Sequence, residues 1–326
     1  MSSSLPSVAN QKYLITGVAG FVGSSIAARL LREGASVIGV DCLTDYYNLQ
    51  IKENNLKPLL EQPGFQLIRK PMLEVDWAPL LAGATAVFHE AAQAGVRASW
   101  GKSFECYTEW NVRSTQYLLE AMKGTGVRMV YASSSSVYGE TRLLPMHEDH
   151  RPQPMSPYGV TKLAAEHLAV LYWRNFQVET VSLRYFTVYG PKQRPDMAFH
   201  KFIKAGTLGQ AITLYGDGEQ TRDFTHIDDA VEANLRAAAF GTPGGVYNIG
   251  GGSRVSVNHV IDILGEVMGA PLQVNHIEKQ KGDVTHTYAD TTRAQQELGF
   301  HPQVDLRRGL ASEVTWFREN QALLLS

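Results

Sequence analysis

The chain has 326 residues, 44% of them hydrophobic and 19% charged, and a formal net charge of −2, with a pI near 6.6 and a mean hydropathy of −0.18. That length admits one large domain or two moderate ones, and the near-balanced charge gives no electrostatic footprint for nucleic acid. No apolar run approaches the ~20 residues of a membrane helix, the first residues lack the regions of a signal peptide, and two cysteines, Cys42 and Cys106, fit a reducing cytoplasm better than a disulfide framework.

In chain order, Lys12–Thr16 reads as a short buried strand and residues 22–33 as an amphipathic helix. Between them runs Gly-Val-Ala-Gly-Phe-Val-Gly, residues 17–23. Gly17 makes the tight turn, Gly20 lets the backbone approach a pyrophosphate, and Gly23 lets helix and strand pack closely. The helix start at Phe21 and Val22 offers unpaired N–H groups and a positive dipole end for phosphates. Residues 36–41 form a second buried strand ending in Asp41, about 20 residues on, as a dinucleotide fingerprint requires. Asp41 would accept from a ribose diol and repel a 2'-phosphate, which favours NAD over NADP.

Strand-like runs continue at 65–70, 86–90, 128–132 and 178–184, alternating with segments such as 104–123 and 158–175 whose apolar residues fall at helical spacing. This alternation predicts an α/β fold: a Rossmann-type, doubly wound parallel sheet with helices on both faces. After about Arg184 the pattern breaks into Gly/Pro-rich loops, with one apolar run, 246–249, reading as a late strand of the first sheet. The expected division is a cofactor domain, 1–187 with a returning segment 224–250, and a smaller C-terminal α/β substrate domain, 188–223 with 251–326. With no Cys/His cluster at ligand spacing, no metal is expected.

The chemistry concentrates in two places. Residues 129–132 run straight into Ser133, Ser134, Ser135 and Ser136, hydroxyls at the carboxyl end of a strand, where this architecture places ligands. Further on, Ser156 suits an N-cap and Pro157 the first helical position. Tyr158 and Lys162 then share one helix face at i,i+4. A free tyrosine has a pKa near ~10, and a fixed cation beside it favours the phenolate.

In this order, the glycine triplet, the hydroxyl cluster and the Tyr158/Lys162 pair resemble the short-chain dehydrogenase/reductase superfamily in its extended, nucleotide-sugar form. The segments 45–48, 89–97, 184–191, 194–198, 222–229 and 282–284 are most similar to its UDP-glucuronate (UDP-hexuronate) 4-epimerase branch. The resemblance implies that Ser134 hydrogen-bonds the sugar 4-oxygen, that Tyr158 is the base, and that Lys162 holds the nicotinamide ribose and lowers the tyrosine pKa. It implies NAD contacts from Ala91, Ala92 and Asn111, and from Leu73 through its backbone. Arg222 would meet the diphosphate, an Arg–phosphate match, and Asp283 the uridine ribose. Gln93, Arg97, Ser135, Ser136, Thr187 and Arg194 complete the implied substrate set, Thr187 and Arg194 at the C6 end. A homodimer through segments 104–123 and 158–175 is expected on the same ground.

A uronate carboxylate is costly to bury without a charged or hydrogen-bonding partner, and Thr187, Ser135, Ser136 and Arg194 would supply one. Oxidation at C4 beside that carboxylate makes a β-keto acid, so an epimerase must hold the group in an unreactive orientation. The expected reaction converts UDP-glucuronate to UDP-galacturonate. Rivals on the same scaffold are a UDP-glucose 4-epimerase, a UDP-glucuronate decarboxylase and a 4,6-dehydratase, whose usual Asp-Glu is replaced here by Ser135 and Ser136. A non-enzymatic NAD-binding regulator would commonly lose the Tyr/Lys pair kept here. Two positions depart from the family pattern. Met72, Leu73 and Glu74 stand where Asp-Ile or Asp-Leu is usual, and Gln280 stands where some relatives have Arg, leaving Arg222, Lys279 or Lys281 to carry diphosphate charge.

Overall fold

The computed structural model describes residues 4–141, 143–278 and 282–325; Lys279, Gln280 and Lys281 lie outside the described residues. Among the described residues there are twelve strands: β1 Lys12–Thr16, β2 Ser36–Val40, β3 Phe65–Ile68, β4 Ala86–His89, β5 Arg128–Ser134, β6 Thr180–Tyr185, β7 Thr187–Tyr189, β8 Ile212–Tyr215, β9 Thr221–His226, β10 Gly245–Ile249, β11 Arg254–Ser256 and β12 Val274–Ile277. Seven of them form one sheet in the order β10-β6-β5-β4-β1-β2-β3, and every pairing in it is parallel. The doubly wound α/β architecture expected from the alternating pattern is therefore present.

Strands of such a sheet read as continuous apolar runs because both faces are covered. Period-2 alternation sends Tyr13, Ile15, Phe88 and Val130 to one core, packed against Ile26, Leu30 and Val231. Leu14, Val87, Met129 and Tyr131 go to the other, against Leu118, Met122, Ala165 and Ala169. A third cluster unites Phe199, Ile203, Leu214, Phe224, Leu264 and Phe317, away from the large sheet. It lies around β8 and β12, paired with each other, and the separate three-stranded sheet β11-β9-β7. Among the described residues no helix is long and apolar enough to cross a membrane.

One predicted helix is not continuous. Segment 104–123 forms Phe104–Tyr107, a π-turn at Thr108–Arg113 and then Ser114–Met122. The Ser114 hydroxyl donates to the Glu109 carbonyl five residues back at 2.9 Å, closing the wide turn. That turn points Asn111 inward, where it is 1% exposed. Single π-turns of this kind often mark functional sites.

β1 lies between β2 and β4, so the chain's winding reverses there. The crevice outside the carboxyl ends of β1 and β4 is where this fold binds its ligands.

Candidate active site

The first half of the crevice is built mainly from backbone. Gly17 donates to the Val40 carbonyl at 2.8 Å, and its own carbonyl accepts from Gly20 at 3.0 Å, closing the turn after β1. Gly17 has φ +69°, and an added Cβ would meet the Ala91 nitrogen at 2.7 Å. Only glycine fits both demands. The helix Phe21–Arg32 follows at once with no side-chain cap at its N-terminus, so its first N–H groups remain available to an anion. Asp41 sits just past β2, its two carboxylate oxygens accepting from Ala19 N at 3.0 Å and Leu43 N at 2.8 Å. Each oxygen keeps a lone pair for a ribose hydroxyl. Thr16 ties β1 to β4, accepting from Ala91 N at 3.1 Å and meeting His89 Nδ1 at 2.7 Å.

The cleft these groups open into is lined by Gly17, Gly20, Phe21, Val22, Gly23, Asp41, Ala91, Ala92, Gln93, Tyr158, Lys162 and Arg194 among others, with about 1170 Å³ of empty space partly open to solvent. A bare helix start, a glycine turn and a carboxylate at the next strand end are the donor and acceptor set a dinucleotide needs. Two residues expected in this lining are absent from it. Leu73 is replaced by its neighbours Met72 and Lys70. Asn111 is instead a buried clamp: its Oδ1 accepts from Gln93 N at 2.7 Å, and its Nδ2 donates to Gln93 O at 3.0 Å and to Thr161 Oγ1 at 3.0 Å. It fixes the loop carrying Gln93 to the helix carrying Tyr158 and Lys162.

That helix, Pro157–Phe176, begins as the sequence predicts: the Ser156 side chain accepts from Gly159 N at 3.1 Å, with Pro157 in the first turn. A Cβ on Gly159 would come within 2.6 Å of the Ser136 carbonyl, so glycine lets the helix start press against the hydroxyl cluster. Ser134 closes β5 and accepts from Ser136 N at 3.1 Å.

Burial holds the Tyr158 phenol above its ordinary range. The opposing influences are first the Arg194 charge and then a hydrogen bond from Ser134, while Asp196 and Glu90 raise it further. Arg194 is thus the first cation acting on the phenol. The Lys162 ammonium lies 4.7 Å over the Tyr131 ring. Burial lowers it to about 8, with Glu90 and Glu166 opposing. Glu166, one helical turn beyond Lys162, is locked by Arg184 through contacts of 3.0 and 2.6 Å and by Ser133 at 2.6 Å. A buried pair satisfied on all sides fixes position more than it adds stability.

The sugar side is built from side chains. Ser135, Ser136, Thr187, Arg222 and Asp283 line an adjoining pocket with Val96, Met155 and Thr287. Arg222 donates to the carbonyls of Thr221, Val284 and Thr285 at 2.7–3.0 Å. Arg97 lies at its edge, paired with Asp283 at 2.6 Å and stacked 4.0 Å above the Tyr215 ring. Arg194 pairs with Asp196.

Sequence reasoning missed several lining residues, notably Tyr46, Glu90, Trp110 and Tyr185. Glu90 accepts from the Tyr185 hydroxyl at 2.9 Å, and that hydroxyl also accepts from Asn234 at 2.7 Å. Burial brings the Glu90 carboxyl up to about 7, against the pull of Tyr185 and Lys162. Glu90 stands one residue past a buried strand, inside the segment 89–97 that carries the family resemblance.

Comparison with known proteins is consistent across sequence and structure. The profile of the NAD dependent epimerase/dehydratase family matches residues 13–250. The UDP-glucuronate 4-epimerase of Thermodesulfobacterium geofontis is 38% identical, over 96% of this chain and 98% of the relative. The Bacillus subtilis protein YtcB, described as an uncharacterized UDP-glucose epimerase, is 41% identical over 94% of this chain and 97% of its own length. The crystal structure of the Bacillus cereus UDP-glucuronic acid 4-epimerase with UDP-glucuronic acid and NAD superposes with a TM-score of 0.91, at 41% identity, covering 95% of this chain and 99% of that one.

Proposed function

The chain belongs to the NAD dependent epimerase/dehydratase family, and from that premise we propose that it is an NAD-dependent 4-epimerase of UDP-hexuronic acids. The observation that carries this reading is Arg194, a fixed guanidinium lining the same cleft as Tyr158 and Lys162. A neutral hydroxymethyl group gives no use for a cation there, whereas a uronate is costly to bury without a charged or hydrogen-bonding partner.

In this reading Tyr158 takes the proton from the sugar 4-hydroxyl, Ser134 hydrogen-bonds the same oxygen, and Lys162 holds the cofactor ribose. NAD, when bound, supplies a hydride acceptor that later serves as donor, so no net redox change accumulates. Gly17, Gly20, Phe21, Val22, Gly23, Asp41, Ala91 and Ala92 bind it. Arg222 carries the diphosphate. Asp283 exchanges its contact with Arg97 for the uridine ribose, and Thr187, Ser135 and Ser136 help Arg194 hold the carboxylate. After oxidation the 4-keto sugar turns over about its phosphate linkage and receives hydride on the opposite face, giving UDP-galacturonate from UDP-glucuronate.

We assign residues 1–187 with 224–250 to the cofactor and 188–223 with 251–326 to the nucleotide sugar. A homodimer is the proposed assembly, supported by Phe104, Tyr117, Val160 and Leu171, which are 37–50% exposed on the helices flanking the π-turn and carrying Tyr158. A cytoplasmic location suits the free cysteines Cys42 and Cys106.

The test is NMR of purified protein mixed separately with UDP-glucuronate and UDP-glucose, without added reductant. UDP-galacturonate from the first and little change in the second is the expected result. A UDP-pentose with CO2 would mean a decarboxylase. Turnover of UDP-glucose alone would make it a glucose epimerase.

A further inference from the structure

Two segments that stand out in the sequence, 45–48 and 194–198, meet at the sugar end of the cleft, where the Tyr46 hydroxyl reaches Asp196 Oδ2 at 3.4 Å across 150 positions. Arg194 Nε donates to Asp196 Oδ1 at 2.9 Å, and Nη2 donates to Oδ2 at 3.0 Å. The turn between the two is closed by Met197 N donating to the Arg194 carbonyl at 3.1 Å. Tyr46 and Arg194 both line the cleft beside Tyr158, and the Arg194 side chain is 23% exposed.

A guanidinium offers a carboxylate two bidentate edges, one through Nε and one through its two terminal nitrogens. Asp196 takes the Nε edge. Among the described residues Nη1 on the remaining edge meets no protein partner, so an incoming carboxylate has one way to pair bidentately. An arginine free of Asp196 could swing and present either edge.

We propose that Asp196, steadied by Tyr46, is a positioning residue that fixes which edge of Arg194 meets the sugar carboxylate, and thereby suppresses loss of that carboxylate as CO2. The inference rests on the hexuronate reading above. At the 4-keto stage the competing step breaks the C5–C6 bond. Its electron pair moves into an enolate across C5 and C4, CO2 departs, and C5 takes a proton. The hydride removed earlier from C4 then returns there and leaves a UDP-pentose, so no external oxidant or reductant is consumed. The step needs the C5–C6 bond perpendicular to the ketone plane, and a carboxylate clamped through a single arginine edge is kept from reaching that geometry.

The experiment compares parent, Asp196→Asn and Tyr46→Phe proteins, each loaded with NAD, by NMR of UDP-glucuronate reactions run to the same extent of conversion. Asp196→Asn should raise the ratio of UDP-pentose to UDP-hexuronate about tenfold, the scale of one hydrogen bond to a charged group. Tyr46→Phe, which keeps the ring, should raise it about twofold to threefold. Unchanged product ratios in both variants, with only slower turnover, would overturn the proposal and leave Asp196 a structural residue. If Asp196→Asn does not fold, the Tyr46→Phe ratio decides. A parent that ignores UDP-glucuronate but epimerises UDP-glucose would refute the hexuronate reading itself, a result distinct from an unchanged ratio.

Discussion

The cofactor half and the sugar half of the crevice are made of different materials. Around Gly17 and Asp41 the contacts come from the backbone and from one carboxylate, all set by a strand-turn-helix-strand unit within a short stretch of chain. Around Arg194, Arg222 and Asp283 the contacts are side-chain charges drawn from several distant segments, each already paired with another protein group. A backbone cradle suits a ligand that never changes. Paired side chains can be exchanged one at a time to suit different sugars without touching hydride chemistry.

Four substitutions test that contrast. The largest effect belongs to the residue at the seam: Tyr158→Phe should lower kcat about 10²–10⁴-fold while bound NAD, followed by its absorbance, stays in place. Arg194→Leu should raise KM for UDP-glucuronate about 10–100-fold, the scale of hydrogen bonds to a charged group, and leave UDP-glucose binding by calorimetry nearly unchanged. An equal loss for both sugars would erase the proposed division of labour. Gly17→Ala strains a left-handed position at about 1–2 kcal/mol and collides with Ala91, so NAD retention should fall about tenfold for every substrate alike.

The last test leaves turnover aside and concerns the scaffold under the cofactor half. Burial takes the His89 imidazole down to about 3, so between pH 3 and 6.5 the unfolded chain binds a proton that the folded chain refuses. Stability therefore falls as pH drops from 6.5 towards 3, by up to about 1.4 kcal/mol per pH unit from this residue. His89→Gln should flatten that part of the unfolding-versus-pH curve. An unchanged slope would mean that the imidazole is charged in place.

The same contrast explains what the sequence made legible. Residues 17–23 and 156–162 carry their geometry in local spacing, so turn, helix start and the Tyr158/Lys162 face follow from a few neighbouring residues. The inward aim of Lys162 does not, because Tyr131 and Glu90 reach it from other elements. Nor does the clamp that Asn111, on the π-turn, makes between loop and helix follow from local spacing. The Tyr46–Asp196 and Glu90–Tyr185 contacts join residues 150 and 95 positions apart, and no spacing rule in a single sequence announces such meetings.

The position of β10 has a consequence for synthesis. It pairs with β6 along Gly245–Ile249, so the outer edge of β6 stays open on the ribosome until a long further stretch of chain has emerged. An unpaired parallel edge is a template for association with another chain. A fragment ending soon after β6 should therefore aggregate where the full chain stays monodisperse, and supplying residues 224–250 as a separate peptide should partly restore its solubility.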